Sequence, residues 1–167
     1  MIIGFHHPGI VVADLEKARR FYCDGLGFRV IRDYSWDETF SDIAEKVMGV
    51  ASTTTKSLLL KGQNCFLELF EFQTPKSDVD PFTRKATDHG IAHLCFQVKD
   101  IFTVFEQVKA AGGITHGEPV KVGEGYSIYL RDPFGNIIEL AEIGTDEPDF
   151  DLIEEDLLPP SHSLKKG

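Results

Sequence analysis

The sequence predicts an α+β fold made from one unit used twice, and three observations carry that prediction. First, His7-Pro8-Gly9-Ile10-Val11-Val12-Ala13-Asp14 and His93-Leu94-Cys95-Phe96-Gln97-Val98-Lys99-Asp100 share a His, then an apolar residue, a Val and an Asp at the same offsets. Second, each Asp opens a segment with helical spacing that ends in glycines. Third, each half closes on a Glu inside an apolar strand, Phe66-Leu67-Glu68-Leu69 and Ile137-Ile138-Glu139-Leu140. The unit reads strand, helix, three strands. Two such βαβββ modules, 1–74 and 91–143, are expected to form curved mixed sheets around a shared site. A linker covers 75–90 and an acidic tail covers 144–167.

In chain order, residues 5–12 read as a strand. Asp14 caps a helix whose apolar face is Leu15, Ala18, Phe21 and Tyr22, ended by Gly25 and Gly27. Lys17 stands where a capping box would place Glu or Gln, so the Asp is the whole N-terminal signal. Phe28 to Tyr34 is a strand. Residues 35–56 form a long loop with a short helix at Ile43, Val47 and Met48 before Gly49. A hairpin follows: 57–61, a turn at Gly62-Gln63-Asn64, then 65–72. Glu68 and Glu71 lie on its second strand and face opposite ways.

The second half opens with a strand over 90–98. Asp100 caps a helix with Ile101, Val104, Phe105 and Val108 on one face, ended by Gly112 and Gly113. Strands follow at 114–121, 126–131 and 136–143. The last two are joined by Asp132-Pro133-Phe134-Gly135-Asn136. Pro133 fixes φ there, and Gly135 and Asn136 tolerate positive φ, so the backbone reverses.

Composition narrows the function classes. The chain has 167 residues with 42% hydrophobic and 26% charged, a globular balance. Its net charge of −10 argues against nucleic acid or an anionic membrane as partner. Cys23, Cys65 and Cys95 form no CxxC pair, so reduced thiols are expected, with Cys65 and Cys95 buried as small hydrophobes. The sequence shows no basic region ahead of a long apolar segment and no run of membrane-spanning length, so a cytoplasmic location is expected.

Glu139 is the residue the pattern must explain. A carboxylate in a buried apolar strand has to be neutral, paired or bound to a cation. A twofold arrangement of the modules would bring His7, Glu68, His93 and Glu139 around one point. Two imidazoles and two carboxylates suit a divalent transition metal such as Zn, Ni, Co, Mn or Fe. A lone His at a strand start is ordinarily bonded to backbone; two at matched repeat positions favour ligands. Glu71 is an alternative to Glu68. His6, His89, His116 and His162 are assigned to surface or structural roles.

The duplicated unit, the two His-started segments and the Asp132-Pro133-Phe134-Gly135-Asn136-Ile137-Ile138-Glu139-Leu140 ending resemble the vicinal oxygen chelate superfamily. That group includes glyoxalase I, methylmalonyl-CoA epimerase, extradiol dioxygenases, fosfomycin-resistance enzymes and bleomycin-binding proteins. The resemblance covers residues 5–143. It implies metal ligation by His7, Glu68, His93 and Glu139, and a small-molecule substrate with vicinal oxygens. It also implies a homodimer; the tail, with Phe150, Leu152, Ile153, Leu157 and Leu158 among acidic residues, reads either as a frayed end or as a clasp on the second copy.

Two enzyme chemistries and one binding role follow from it. The leading one is a lyase or isomerase of the glyoxalase I or epimerase type. There the metal stabilises an enolate and Glu139 moves the proton next to a carbonyl, with Glu68, Glu38 or Glu45 as partner acid. Arg19, Arg20, Arg32, Lys85 and Arg131 are available for an anionic substrate. The second is an Fe(II) extradiol-type dioxygenase, suggested by Ile128-Tyr129-Leu130-Arg131-Asp132-Pro133. It is weakened because Val120-Lys121-Val122-Gly123 carries no His and because Glu68 adds a second carboxylate. The third is a metal-free small-molecule binder of the bleomycin-resistance kind, which has no need of matched His and Glu residues.

Overall fold

A computed structural model describes residues 1–153 together with 156 and 157. The chain divides into two compact units. The first holds Met1–Arg19, Gly27–Asp78 and, of the tail, the described residues Asp156 and Leu157; the second holds Arg20–Leu26 and the described residues from Val79 to Ile153.

In the first unit, β1 (Gly9–Val11), β2 (Arg29–Asp33), β3 (Thr54–Lys61) and β4 (Phe66–Thr74) form a mixed sheet in the order β1-β4-β3-β2. β1 runs parallel to β4, and the other pairs are antiparallel. Alternation buries Leu67 and Leu69 on one face of β4 and leaves Glu68 on the other. Helix α1 (Leu15–Arg20) starts after Asp14, whose Oδ1 accepts the Lys17 N–H at 2.8 Å. Helix α2 (Ser41–Met48) ends on Gly49 at φ 73, the left-handed stop that glycine permits.

In the second unit, β5 (Leu94–Gln97), β9 (Ile137–Glu142), β8 (Gly125–Arg131) and β6 (Ile114–Thr115) repeat that order. β5 is again parallel to the last strand. Helix α3 (Ile101–Ala110) follows β5 and buries Ile101, Phe105 and Val108. Each such side chain, fully buried, contributes about 1.5–3 kcal/mol. The result is an α+β fold of two mixed sheets with no closed barrel among the described residues.

Four segments differ from the sequence reading. The strands expected over 5–12 and 90–98 shrink to β1 and β5, so His7 and His93 stand just ahead of their strands. The expected strand over 114–121 splits into β6 and β7 (Val120–Val122), which pairs with β8. Pro119, which has no N–H, and a Thr115–Gly117 side-chain turn interrupt it. The helix from Leu15 continues as a widened π turn over Phe21–Gly25, and that segment groups with the second unit rather than with the first module. The physical reason is burial with a partner: Phe21 and Tyr22 are fully buried. The Tyr22 hydroxyl donates to Asp132 Oδ2 at 2.9 Å. Finally, Cys95 is exposed and Cys65 only partly buried, against the expectation of two buried thiols.

The β8–β9 turn is built on Asp132. Its Oδ1 accepts the N–H groups of Phe134 (2.8 Å) and Asn136 (2.9 Å), and its Oδ2 accepts from Asn136 Nδ2 (2.8 Å) as well as from Tyr22. Gly135 at φ 90 completes the reversal. Burial pushes the Asp132 carboxyl above the ordinary carboxylate value, and the hydrogen bonds work against that. This turn sets the register that puts Tyr129 opposite Glu139.

Candidate metal centre

In the first unit, His7 Nε2 lies 3.1 Å from Glu68 Oε2. His7 precedes β1 and Glu68 sits on the neighbouring β4, where it registers with Gly9. The pair is partly shielded, with 34% of the His side chain and 15% of the Glu side chain exposed. His6, assigned from sequence to a surface or structural role, is exposed beside His7. Its Nδ1 is 2.6 Å from His7 Nδ1, and its ring stacks on Phe66. Glu71, the alternative to Glu68, instead accepts the Leu15 N–H on its Oε2 at 2.8 Å. Glu38, in a 3-10 turn just ahead of α2, and Glu45, within α2, are both exposed.

The second unit repeats the pair. His93 Nε2 lies 2.9 Å from Glu139 Oε2, with 26% and 17% of the side chains exposed. Glu139 registers between Cys95 on β5 and Tyr129 on β8. The Tyr129 hydroxyl is 3.4 Å from His93 Nε2, and the two rings are 4.5 Å apart. Burial together with the Glu139 carboxylate pushes the Cys95 thiol up to about 11 and raises the Tyr129 phenol. His93 Nδ1 is buried without a hydrogen-bond partner among the described residues.

A recess of about 730 Å³ opens beside Tyr129 and Ser127, with Val120, Val122, His116 and Ile137 in its lining. Arg131 also borders it but directs its guanidinium at the carbonyls of Pro81, Arg84 and Gly135. Arg19 pairs with Glu16 at 2.6 Å.

The donor sets fit a divalent ion. Imidazole nitrogen beside carboxylate oxygen suits Zn, Mn, Fe, Co and Ni. Donors 2.9 and 3.1 Å apart are spaced as neighbouring ligands of an ion held at about 2.1 Å from each. The same separations let a protonated or Nε2–H imidazole donate to its Glu in the apo chain. Within each unit, among the described residues, no group of three or more His, Cys, Asp or Glu side chains is arranged for an ion, so each pair supplies two donors. Sequence reasoning missed the cap at Glu71. His6 carries no repeat counterpart, since Ala92 stands before His93.

The fold defines the class first: an α+β protein whose two mixed sheets share one strand order. Comparison with known proteins then fixes the family. The chain belongs to the Glyoxalase/Bleomycin resistance protein/Dioxygenase superfamily, whose family model matches residues 4–140. It is 27% identical over 139 residues to a probable lactoylglutathione lyase of Synechocystis, covering 81% of this chain and 92% of that one. It is 28% identical over 148 residues to an ethylmalonyl-CoA/methylmalonyl-CoA epimerase of Cereibacter sphaeroides, covering 86% of this chain and 100% of that one. Among solved structures, a glyoxalase family protein from Bacillus cereus superposes with a TM-score of 0.76 at 23% identity, over 85% of this chain and 95% of that one. The fosfomycin resistance protein FosX of Listeria monocytogenes, solved with Mn(II) and sulfate, superposes with a TM-score of 0.59 at 23% identity, over 88% and 98%. No helix among the described residues is long and apolar enough to cross a membrane.

Proposed function

We propose that the chain is a metal-dependent lyase or isomerase that moves a proton next to a carbonyl, on a small substrate with vicinal oxygens. The observation that carries this is the matched contact of His Nε2 with Glu Oε2 in both units, 3.1 and 2.9 Å. Support comes from relatives named as a lactoylglutathione lyase and an epimerase. His7, Glu68, His93 and Glu139 would hold a divalent ion, which when bound supplies positive charge that lowers the pKa of a carbon acid beside a carbonyl.

The chain's own residues then divide the remaining work. Glu139 takes the proton from carbon, because its carboxylate lies on the sheet face that borders the recess and is only partly exposed. Tyr129, whose phenol stays protonated at neutral pH, is placed to donate a hydrogen bond to a substrate oxygen. Val120, Val122 and Ile137 give the recess an apolar wall for the carbon part of a substrate. We further read the chain as a cytoplasmic homodimer. Phe150 and Ile153, exposed on the tail, support a clasp on a second copy. Leu152 and Leu157 are exposed as well, and Leu158 and His162 lie outside the described residues.

The test is exchange of the substrate proton. The metal-loaded protein in D2O is given the methylglyoxal–glutathione adduct and methylmalonyl-CoA separately, and deuterium uptake is followed by NMR. We expect exchange on one of them, reduced about 10²–10⁴-fold in Glu139→Gln. Exchange on neither, together with a coloured product from catechol and air after Fe(II) loading, would move the chain to the ring-cleaving dioxygenases.

A further inference from the structure

One polar contact outside the four ligand candidates occurs twice. Ser57 Oγ donates to Glu68 Oε1 at 3.2 Å, and Ser127 Oγ donates to Glu139 Oε1 at 2.6 Å. Each serine lies on the strand beside its glutamate but not directly opposite. Ser57 registers with Phe70 and Ser127 with Ala141, two residues past the glutamate in both sheets. The hydroxyl reaches the carboxylate along the diagonal of the antiparallel pair.

The contact is retained where its surroundings have changed. Directly across from Glu68 stand Leu59 and Gly9; directly across from Glu139 stand Tyr129 and Cys95. The two flanking positions therefore differ between modules, while the diagonal serine does not. A solvent-facing carboxylate has no need of a fixed partner on one oxygen. A carboxylate that must present one defined oxygen does.

We propose that Ser57 and Ser127 are positioning residues for the two carboxylates. Each hydroxyl engages Oε1 and leaves Oε2, the oxygen that faces the His Nε2, as the one presented to the ion. The inference rests on the metal-binding reading above. Without the hydroxyl, the carboxylate turns about its last bond, and Oε1 and Oε2 become interchangeable. Partners of this kind, one bond removed from a metal, change affinity about 10–100-fold when deleted.

The experiment is titration of the full-length apoprotein with Mn(II), following the free-ion signal by electron paramagnetic resonance, beside thermal unfolding of each apo variant. We expect Ser127→Ala and Ser57→Ala each to bind Mn(II) about 10–100-fold more weakly. Ser127→Thr, which keeps a hydroxyl, should bind as the wild type does. In a Glu139→Gln background, Ser127→Ala should weaken binding no further. Ser57 is fully buried, so if Ser57→Ala fails to fold, Ser127 alone decides. Unchanged affinity in Ser127→Ala, with the wild type binding, overturns the positioning role whatever happens to apo stability. A wild type that takes up neither Mn(II) nor Zn(II) overturns the metal reading, and this inference with it.

Discussion

At the scale of single residues, the His93–Glu139 pair has two titratable neighbours, Cys95 and Tyr129, directly across the sheet from its glutamate. Cys95 is exposed as a residue, yet burial of its sulfur and the facing Glu139 carboxylate push its thiol up to about 11. Both causes disfavour the thiolate, so the sign is toward an unreactive thiol at neutral pH. An ordinary thiol near 9.0 would hold about a hundred times more thiolate at pH 8. We expect Cys95 to alkylate with iodoacetamide far more slowly than a model thiol at pH 8, and faster as pH rises toward 11. Glu139→Gln, which removes the negative charge, should accelerate it. Equal rates in wild type and variant, read by peptide mass spectrometry, would separate the thiol from the carboxylate.

Within the elements, the repeat extends further than its ligand candidates. Three residues after each glutamate stands a second one on the opposite face. Glu71 accepts the Leu15 N–H at the start of α1, and Glu142 Oε2 accepts the Ile101 N–H at the start of α3 at 2.7 Å. The last strand of each module thus holds the first turn of its helix while its other face carries the His–Glu pair. We expect Glu142→Ala to lower stability by about 1 kcal/mol, measured by urea unfolding, with metal affinity unchanged. Parity along a strand was legible in the sequence, and so was the opposed facing of Glu68 and Glu71. The destination of each side chain was not, because it depends on which backbone groups the register brings alongside. Ser57 and Ser127 were illegible for the same reason: a diagonal contact 11 or 12 residues away follows from pairing, not from spacing. His7 and His93 were legible because the repeat marks them twice.

At the scale of the whole chain, the duplicated pattern was enough to read the α+β class, since each module restarts with the same His, Val and Asp offsets. Membership of the superfamily follows from the family model over residues 4–140. Less legible was where the first helix belongs. Its apolar stripe reads as one face through Tyr22, but the Tyr22 hydroxyl needs a buried acceptor and finds Asp132, more than a hundred residues on. Periodicity finds apolar faces and says nothing of polar partners in distant turns. The net charge of −10 is consistent with a small-molecule substrate rather than a polyanion.

Under the proposed function, His7, Glu68, His93 and Glu139 hold one ion. The measurement that tests it most directly is the metal content of the purified protein after loading and gel filtration, beside His7→Ala and His93→Ala. We expect about one divalent ion per chain in the wild type, and loss from both variants with the fold intact by circular dichroism. That stoichiometry holds whether the pairs meet within one chain or between two copies. Full retention of the ion in His7→Ala or in His93→Ala, or no uptake by a folded wild type, would contradict a shared centre.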